Sequence, residues 1–203
     1  MFKVPTIKKI TSNMEVLCKG KFPEYPQIVL IHDFISDEEI DNIIEVSKKY
    51  QENPATCWSV VTGEDYVDAS FRKGDMVIME KSDCQHLIKE IFKYTGWGED
   101  DMERPKMIHY GSDGYVNDHM DYSIINSERQ RAGTFVTYIK EPISGGRTLY
   151  PELDIAITPR KGSSLFMNYS PHKTHKSTHA SEKIIEGEKS IITSFLYGIE
   201  YRI

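Results

Sequence analysis

The chain has 203 residues, 39% hydrophobic and 28% charged, with a formal net charge of -6; that length buries one core and predicts one domain rather than two. The composition excludes wholesale disorder, and the negative balance gives no general attraction to a phosphate backbone, so nucleic acid is not an expected partner. Cys18, Cys57 and Cys84 are widely spaced and form no CxxC pair, which argues against a disulfide framework or a zinc cluster and for reduced thiols in a cytoplasm.

At the N-terminus, lysines alternate with isolated apolar residues, and Lys3, Lys8, Lys9, Lys19 and Lys21 make residues 1–26 locally basic. This segment reads as a solvated arm packed on, or extending from, a single domain over residues 27–203. No signal peptide is legible, and no later run approaches membrane-spanning length, so secretion and a membrane are not expected. Residues 27–34 form an apolar run suited to a strand. Ser36-Asp37-Glu38-Glu39 follows as a Ser-x-x-Glu capping box, predicting a helix with Ile40, Ile43, Ile44 and Ser47 on one face and a stop at Asn53-Pro54. A second helix is signalled by Ser82-Asp83-Cys84-Gln85, with Leu87, Ile88, Ile91 and Phe92 on its buried face and Gly96 beyond its end.

From Lys106 onward the pattern changes to short strand-like runs at 107–110, 115–122, 134–139, 147–150, 154–157, 163–169 and 189–201. Helices first and then a succession of strands predict an α+β layout. N-terminal helices are expected to support a double-stranded β-helix, the cupin-like jelly roll.

Within the run 115–122, His119 and Asp121 are two apart, so both side chains point to one face of a sheet. One more imidazole would complete a two-His, one-carboxylate triad that leaves three metal positions open. His-x-Asp alone is weak evidence, because it arises by chance on solvated strands. Downstream, His179 is followed ten residues later by Lys189 at the start of an apolar strand. Lys189 alternates with Ile191, Thr193 and Phe195, and a lysine on such a face needs an anionic partner unless it merely caps the turn at Gly187-Glu188. His172 and His175 lack that spacing and read as loop residues; His32, His86 and His109 read as packing or surface residues. Asp118 has the opposite strand parity from His119 and is expected to face away.

The His179 to Lys189 segment resembles the distal half of prolyl 4-hydroxylase-like 2-oxoglutarate/Fe(II)-dependent dioxygenases. Other segments are similar in the same order. Tyr110 stands nine residues before His119 in Tyr-Gly-Ser-Asp-Gly-Tyr, and Arg131-Ala-Gly-Thr-Phe-Val-Thr-Tyr138 looks like the family's strand ending in Tyr-Leu. Gly145-Gly146-Arg147-Thr148-Leu149-Tyr150-Pro151 looks like its Gly-Gly-x-Thr-x-Phe-Pro segment, and Pro159-Arg160-Lys161-Gly162 like its Pro-x-x-Gly turn. One departure stands out: Tyr115 lies four residues before His119, where relatives place a tyrosine three before, leaving Val116 at that place. In a regular strand this moves the ring to the other face unless a bulge absorbs the extra residue.

The resemblance implies Fe(II) held by His119, Asp121 and His179 as metal and catalytic residues. It implies 2-oxoglutarate held by Tyr110, Thr148 and Lys189, with Tyr138 either a third hydroxyl donor or a packing residue. O2 is the further cosubstrate and ascorbate the reductant. The implied reaction is hydroxylation of prolyl residues in a proline-containing protein or peptide. Alternatives are hydroxylation of a free amino acid or other small metabolite, and a non-catalytic jelly-roll binding module. The segments 62–74 and 170–177 are candidate lids, and Arg72 is either a substrate contact or a solvent-exposed loop residue.

Overall fold

The computed structural model describes residues 2–21, 23–58, 64–122, 130–169 and 175–200. In chain order the first half holds β1 (Met14–Lys21), β2 (Tyr25–Ile31), α1 (Asp37–Ser47), β3 (Asn53–Pro54), β4 (Arg72–Lys73), β5 (Asp75–Ile78) and α2 (Gln85–Thr95). The second half is β: β6 (Lys106–Tyr110), β7 (Tyr115–His119), β8 (Arg131–Lys140), β9 (Thr148–Tyr150), β10 (Ile155–Ile157), β11 (Ser164–Asn168), β12 (His179–Ser181) and β13 (Lys189–Tyr197). A major sheet of eight strands runs β1-β2-β11-β8-β13-β6-β5-β3, and a minor sheet of five runs β10-β9-β12-β7-β4. Neighbouring strands in both sheets pair antiparallel, the jelly-roll arrangement expected from the sequence.

Period-two alternation explains how the central strands serve two cores at once. Val29, Ile31, Phe135, Phe166, Ile192 and Leu196 face the helices, where Ile40, Ile43, Leu87, Ile88 and Ile91 meet them. Ile28, Leu30, Val136, Tyr138, Leu165, Met167 and Ile191 point the other way, into the space between the sheets. Buried on both faces, β8 and β11 read as near-continuous apolar runs. Each such side chain removed from water contributes on the order of 1.5–3 kcal/mol.

The first helix begins as expected. Glu39 N donates to Ser36 Oγ at 3.3 Å and Ser36 N donates to Glu39 Oε2 at 2.7 Å, completing the capping box. Other local expectations need correction. The second helix has no side-chain cap at Ser82; a 3-10 turn over Lys81–Cys84 leads into α2 instead. Phe92 is 57% exposed, because Leu87, Ile88 and Ile91 complete the buried stripe and Phe92 lies about 100° further round than Ile91. Asn53-Pro54, the anticipated helix stop, forms an edge strand against β5 after α1 has ended at Ser47.

The N-terminal segment is more closely integrated than a solvated arm. β1 pairs along β2, Ile7 N donates to Gln27 Oε1 at 2.8 Å, and Asn168 Nδ2 donates to the Pro5 carbonyl at 2.9 Å. Its lysines lie on and beside an edge strand, where charge discourages pairing with a second chain. The strand anticipated over 115–122 ends at His119, and that anticipated over 189–201 runs as β13 before a separate pair of residues, Ile199–Glu200; residue 201 lies outside the described residues.

Candidate active site

The minor sheet brings two distant histidines face to face. His119, the last residue of β7, is the direct cross-strand partner of His179, the first residue of β12. Asp121 follows two residues beyond the strand end, its Oδ1 3.5 Å from His119 Nε2 and its Oδ2 3.7 Å from His179 Nε2. One ligand atom from each residue lies within 4.8 Å of the others, and this trio is the metal-competent group among the described residues.

The tautomers suit a metal. His119 Nδ1 lies 2.8 Å from the Asn117 carbonyl and His179 Nδ1 lies 3.0 Å from the Ser177 carbonyl. A carbonyl only accepts, so each Nδ1 carries its proton and each Nε2 lone pair is left facing Asp121. Burial, and after it the adjacent His179, push the His119 imidazole down to about 4, so it is neutral near pH 7. Burial of Asp121 favours the protonated carboxyl, but the two imidazoles, Arg131 and the Thr134 hydroxyl outweigh it and lower its pKa. Thr134 Oγ1 donates to Asp121 Oδ2 at 3.0 Å, with the Tyr169 hydroxyl 2.9 Å from the same threonine oxygen. The Tyr150 ring stacks on His179 at 5.5 Å. Two imidazoles that present Nε2 and one carboxylate, each oriented from behind, fit a divalent iron.

The trio opens into a cavity of about 220 Å³ between the sheets, whose lining includes all seven residues singled out in the sequence: Tyr110, His119, Asp121, Tyr138, Thr148, His179 and Lys189. Lys189 is 1% exposed and is the cross-strand partner of Tyr110, its ammonium 5.0 Å from the tyrosine ring centroid. It donates to the Gly146 carbonyl at 2.8 Å and to Ser181 Oγ. An ammonium has three donors, so one remains for a ligand. Gly146 has φ 68°, and a Cβ there would lie 2.5 Å from Ile184 Cδ1, so the carbonyl that receives Lys189 depends on glycine. Burial pushes the Lys189 amine down to about 7. Tyr138 is fully buried with its hydroxyl 2.9 Å from Thr148 Oγ1. Ile191, Thr193 and Phe195 line the cavity on the same face of β13 as Lys189, as the alternation predicts.

The displaced tyrosine is explained by a register shift. Val116 pairs with Ser181 and His119 with His179, so three steps on β7 oppose two on β12, a bulge. Buried Val116 lines the cavity, while Tyr115 is turned away and donates its hydroxyl to the Ala69 and Ser70 carbonyls at 3.1 and 3.0 Å. Val116 rather than Tyr115 therefore shares the cavity face with His119. Asp118 is exposed, as expected from its parity. Of the candidate lids, residues 62–63 and 170–174 lie outside the described residues. Asp65, Tyr66, Phe71 and Arg72 of the first line the cavity, and His175 of the second is buried outside the metal-competent trio.

Sequence reasoning missed two further cations that line the cavity, Arg131 and Lys106. Arg131 donates to both oxygens of Glu103, at 2.5 and 2.8 Å, and its guanidinium lies 3.9 Å from the Phe195 ring centroid. Lys106 Nζ is 3.6 Å from the same carboxylate, and burial lowers its pKa. A cation opening an apolar strand was the signal used for Lys189, and Arg131 at the start of β8 carries the same signal.

Residues 105–197 match the model of the 2OG-Fe(II) oxygenase superfamily, an interval that contains the whole trio and Lys189. Over that interval the chain is similar to members of this superfamily. It is 28% identical to prolyl 4-hydroxylase subunit alpha-2 of Gallus gallus over 184 residues, which is 85% of this chain and 34% of that protein. It is 26% identical to probable prolyl 4-hydroxylase 6 of Arabidopsis thaliana, over 85% of this chain and 69% of the relative. The chain thus spans about a third of the length of the vertebrate subunits it matches. Among solved structures, the viral collagen prolyl hydroxylase of Paramecium bursaria Chlorella virus-1 superposes with a TM-score of 0.60 at 22% identity, over 89% of this chain and 98% of that one. A Trichoplax adhaerens prolyl hydroxylase in complex with a hypoxia inducible factor peptide fragment gives 0.61 at 14% identity, over 84% and 83%. At these identities the superpositions establish the shared fold.

Proposed function

We propose that this chain hydroxylates prolyl residues in a protein or peptide, using Fe(II), 2-oxoglutarate and O2, with ascorbate as reductant. The observation that carries the reading is the convergence of His119, Asp121 and His179 in the same cavity as the buried, ligand-ready Lys189. His119 and His179 would hold iron through Nε2 and Asp121 through its carboxylate. Lys189 would receive the far carboxylate of 2-oxoglutarate, with Tyr110 and Thr148 as hydroxyl donors and Tyr138 orienting Thr148. When bound, the iron supplies the oxygen activation that couples cosubstrate decarboxylation to C–H hydroxylation.

The prolyl assignment is supported by the prolyl 4-hydroxylases among the relatives, and a peptide rather than a free amino acid by the related structure that holds a peptide fragment. Tyr66 and Met120 line the cavity yet are 45% and 51% exposed, so its mouth offers apolar surface to which a polyproline II segment can dock at low entropic cost. No described helix is long and apolar enough to cross a membrane, and the three free cysteines support a reducing cytoplasm.

The test supplies iron, ascorbate and 2-oxoglutarate with proline-rich peptides and, separately, free proline, following succinate release and locating added oxygen by fragmentation. Oxygen on a peptidyl proline is the expected result. Oxygen only on free amino acids or on a non-prolyl side chain would overturn the substrate assignment, and no succinate under any condition would overturn the enzymatic one.

A further inference from the structure

The Tyr110 hydroxyl is held from one side only. Arg72 Nη2 donates to it at 3.2 Å, while Nη1 of the same guanidinium donates to the Thr56 carbonyl at 3.2 Å. A guanidinium has five N–H donors and no acceptor. The phenol oxygen therefore accepts in that bond, and its own proton must point elsewhere. Among the described residues, no acceptor takes that proton. Tyr110 is 1% exposed and faces the cavity beside the Lys189 ammonium, so the free direction of its O–H belongs to the cavity. An unspent hydroxyl donor next to an ammonium with one unspent donor is a matched pair for a carboxylate.

The arrangement is set by backbone as well as side chain. At Gly74, two residues beyond Arg72, a Cβ would lie 2.8 Å from the His109 carbonyl and 3.0 Å from the Tyr110 ring, so the chain after β4 runs hard against Tyr110. Arg72 Nε is buried and, among the described residues, has no partner, leaving the two bonds to Tyr110 and Thr56 to fix the guanidinium.

We propose that Arg72 is a positioning residue for the cosubstrate: it makes the Tyr110 phenol a donor toward the carboxylate that Lys189 receives, and through Thr56 it ties that orientation to the segment entering Cys57–Trp58. This rests on the reading of the cavity as a 2-oxoglutarate site and deepens it. Arg72 itself stays off the cosubstrate and acts through Tyr110. A lysine at this place has one charged head and cannot span both partners as the fork does.

The test is a double-mutant cycle of Arg72→Met and Tyr110→Phe, with 2-oxoglutarate affinity measured anaerobically by calorimetry on the Fe(II)-loaded chain. Arg72→Met is expected to weaken 2-oxoglutarate by about tenfold, the scale of one charge-assisted bond, and to raise its KM more than it lowers kcat. In the Tyr110→Phe background the same change is expected to have no further effect. Fe(II) affinity should be unchanged in all variants, and Arg72→Lys should recover part of the loss. Additive effects of the two substitutions, or unchanged 2-oxoglutarate affinity in Arg72→Met, would overturn the proposal while leaving the dioxygenase reading standing. If Arg72→Met fails to fold, Arg72→Lys takes its place in the cycle, with an intermediate loss beside Tyr110 and none beside Tyr110→Phe. Failure of the unmodified chain to bind 2-oxoglutarate would overturn both.

Discussion

His119 and His179 sit opposite one another on neighbouring antiparallel strands, their ring centroids 4.3 Å apart although sixty residues of chain separate them. Each donates Nδ1–H to a carbonyl two residues earlier in its own chain, so the pairing presents two acceptor nitrogens to Asp121. Removing any one of the three is expected to weaken iron by more than about a hundredfold, since loss of even an outer-shell partner costs 10–100-fold. Metal titration of His119→Ala, Asp121→Ala and His179→Ala checks this. If His175→Ala lost iron while His179→Ala kept it, the distal ligand would be misassigned.

Lys189 gives a pH dependence of definite sign. Its amine is held near 7 by burial, below the ordinary lysine value, so the folded chain without cosubstrate binds fewer protons than the unfolded chain between about pH 7 and 10.4. Stability therefore rises with pH across that window, and the cost of the buried charge is fully present below it. Lys189→Met is expected to be more stable than the unmodified chain at pH 7 by up to a few kcal/mol, with the gap closing toward pH 10. Denaturant unfolding at a series of pH values measures it; a gap independent of pH would contradict the assignment.

The carboxylate of 2-oxoglutarate pairs with the charged form of the same lysine. Cosubstrate affinity is accordingly expected to fall as pH rises above about 7, approaching tenfold per pH unit, with proton uptake on binding. Calorimetry in buffers of different ionisation enthalpy reads the uptake directly. Lys189→Met should abolish the dependence and weaken 2-oxoglutarate far more than iron.

Glu103 compensates two cations, Arg131 and Lys106, in a half-dry setting where its side chain is 12% exposed. Glu103→Gln strands both charges and is expected to destabilise the fold by about 3 kcal/mol. Arg131→Met added to it should recover part of that loss. A recovery no different from zero in the unfolding midpoint would show that the pair is not coupled.

The bulge in β7 separates two neighbouring residues by function. Tyr115→Phe is expected to leave the KM for 2-oxoglutarate unchanged and to cost about 1 kcal/mol of stability, since only a hydroxyl to the Ala69 and Ser70 carbonyls is lost. Val116→Phe should instead fill cavity space and raise KM for cosubstrate or peptide. Kinetics with the two variants side by side distinguish them; the reverse pattern would mean that the ring of Tyr115 turns inward.

Local chemistry carried much of this protein into its sequence. The Ser36 to Glu39 capping box, the helix face of Ile40 and Ile43, the strand alternation of Lys189, Ile191, Thr193 and Phe195, and the His119 to Asp121 spacing all depend on neighbours within a few residues, so each is legible without the fold. The order of motifs around them carried the family resemblance and pointed to the trio. Tertiary structure decided what depends on distant partners. It placed β1 in the major sheet and set a bulge in β7, against β12, that brings Val116 rather than Tyr115 to the cavity face with His119. It joined Arg131 to Glu103 and turned Arg72 onto Tyr110, contacts that span 28 and 38 residues of chain. Strand register and ion-pair geometry are properties of two segments at once, and neither segment alone encodes where the other will stop.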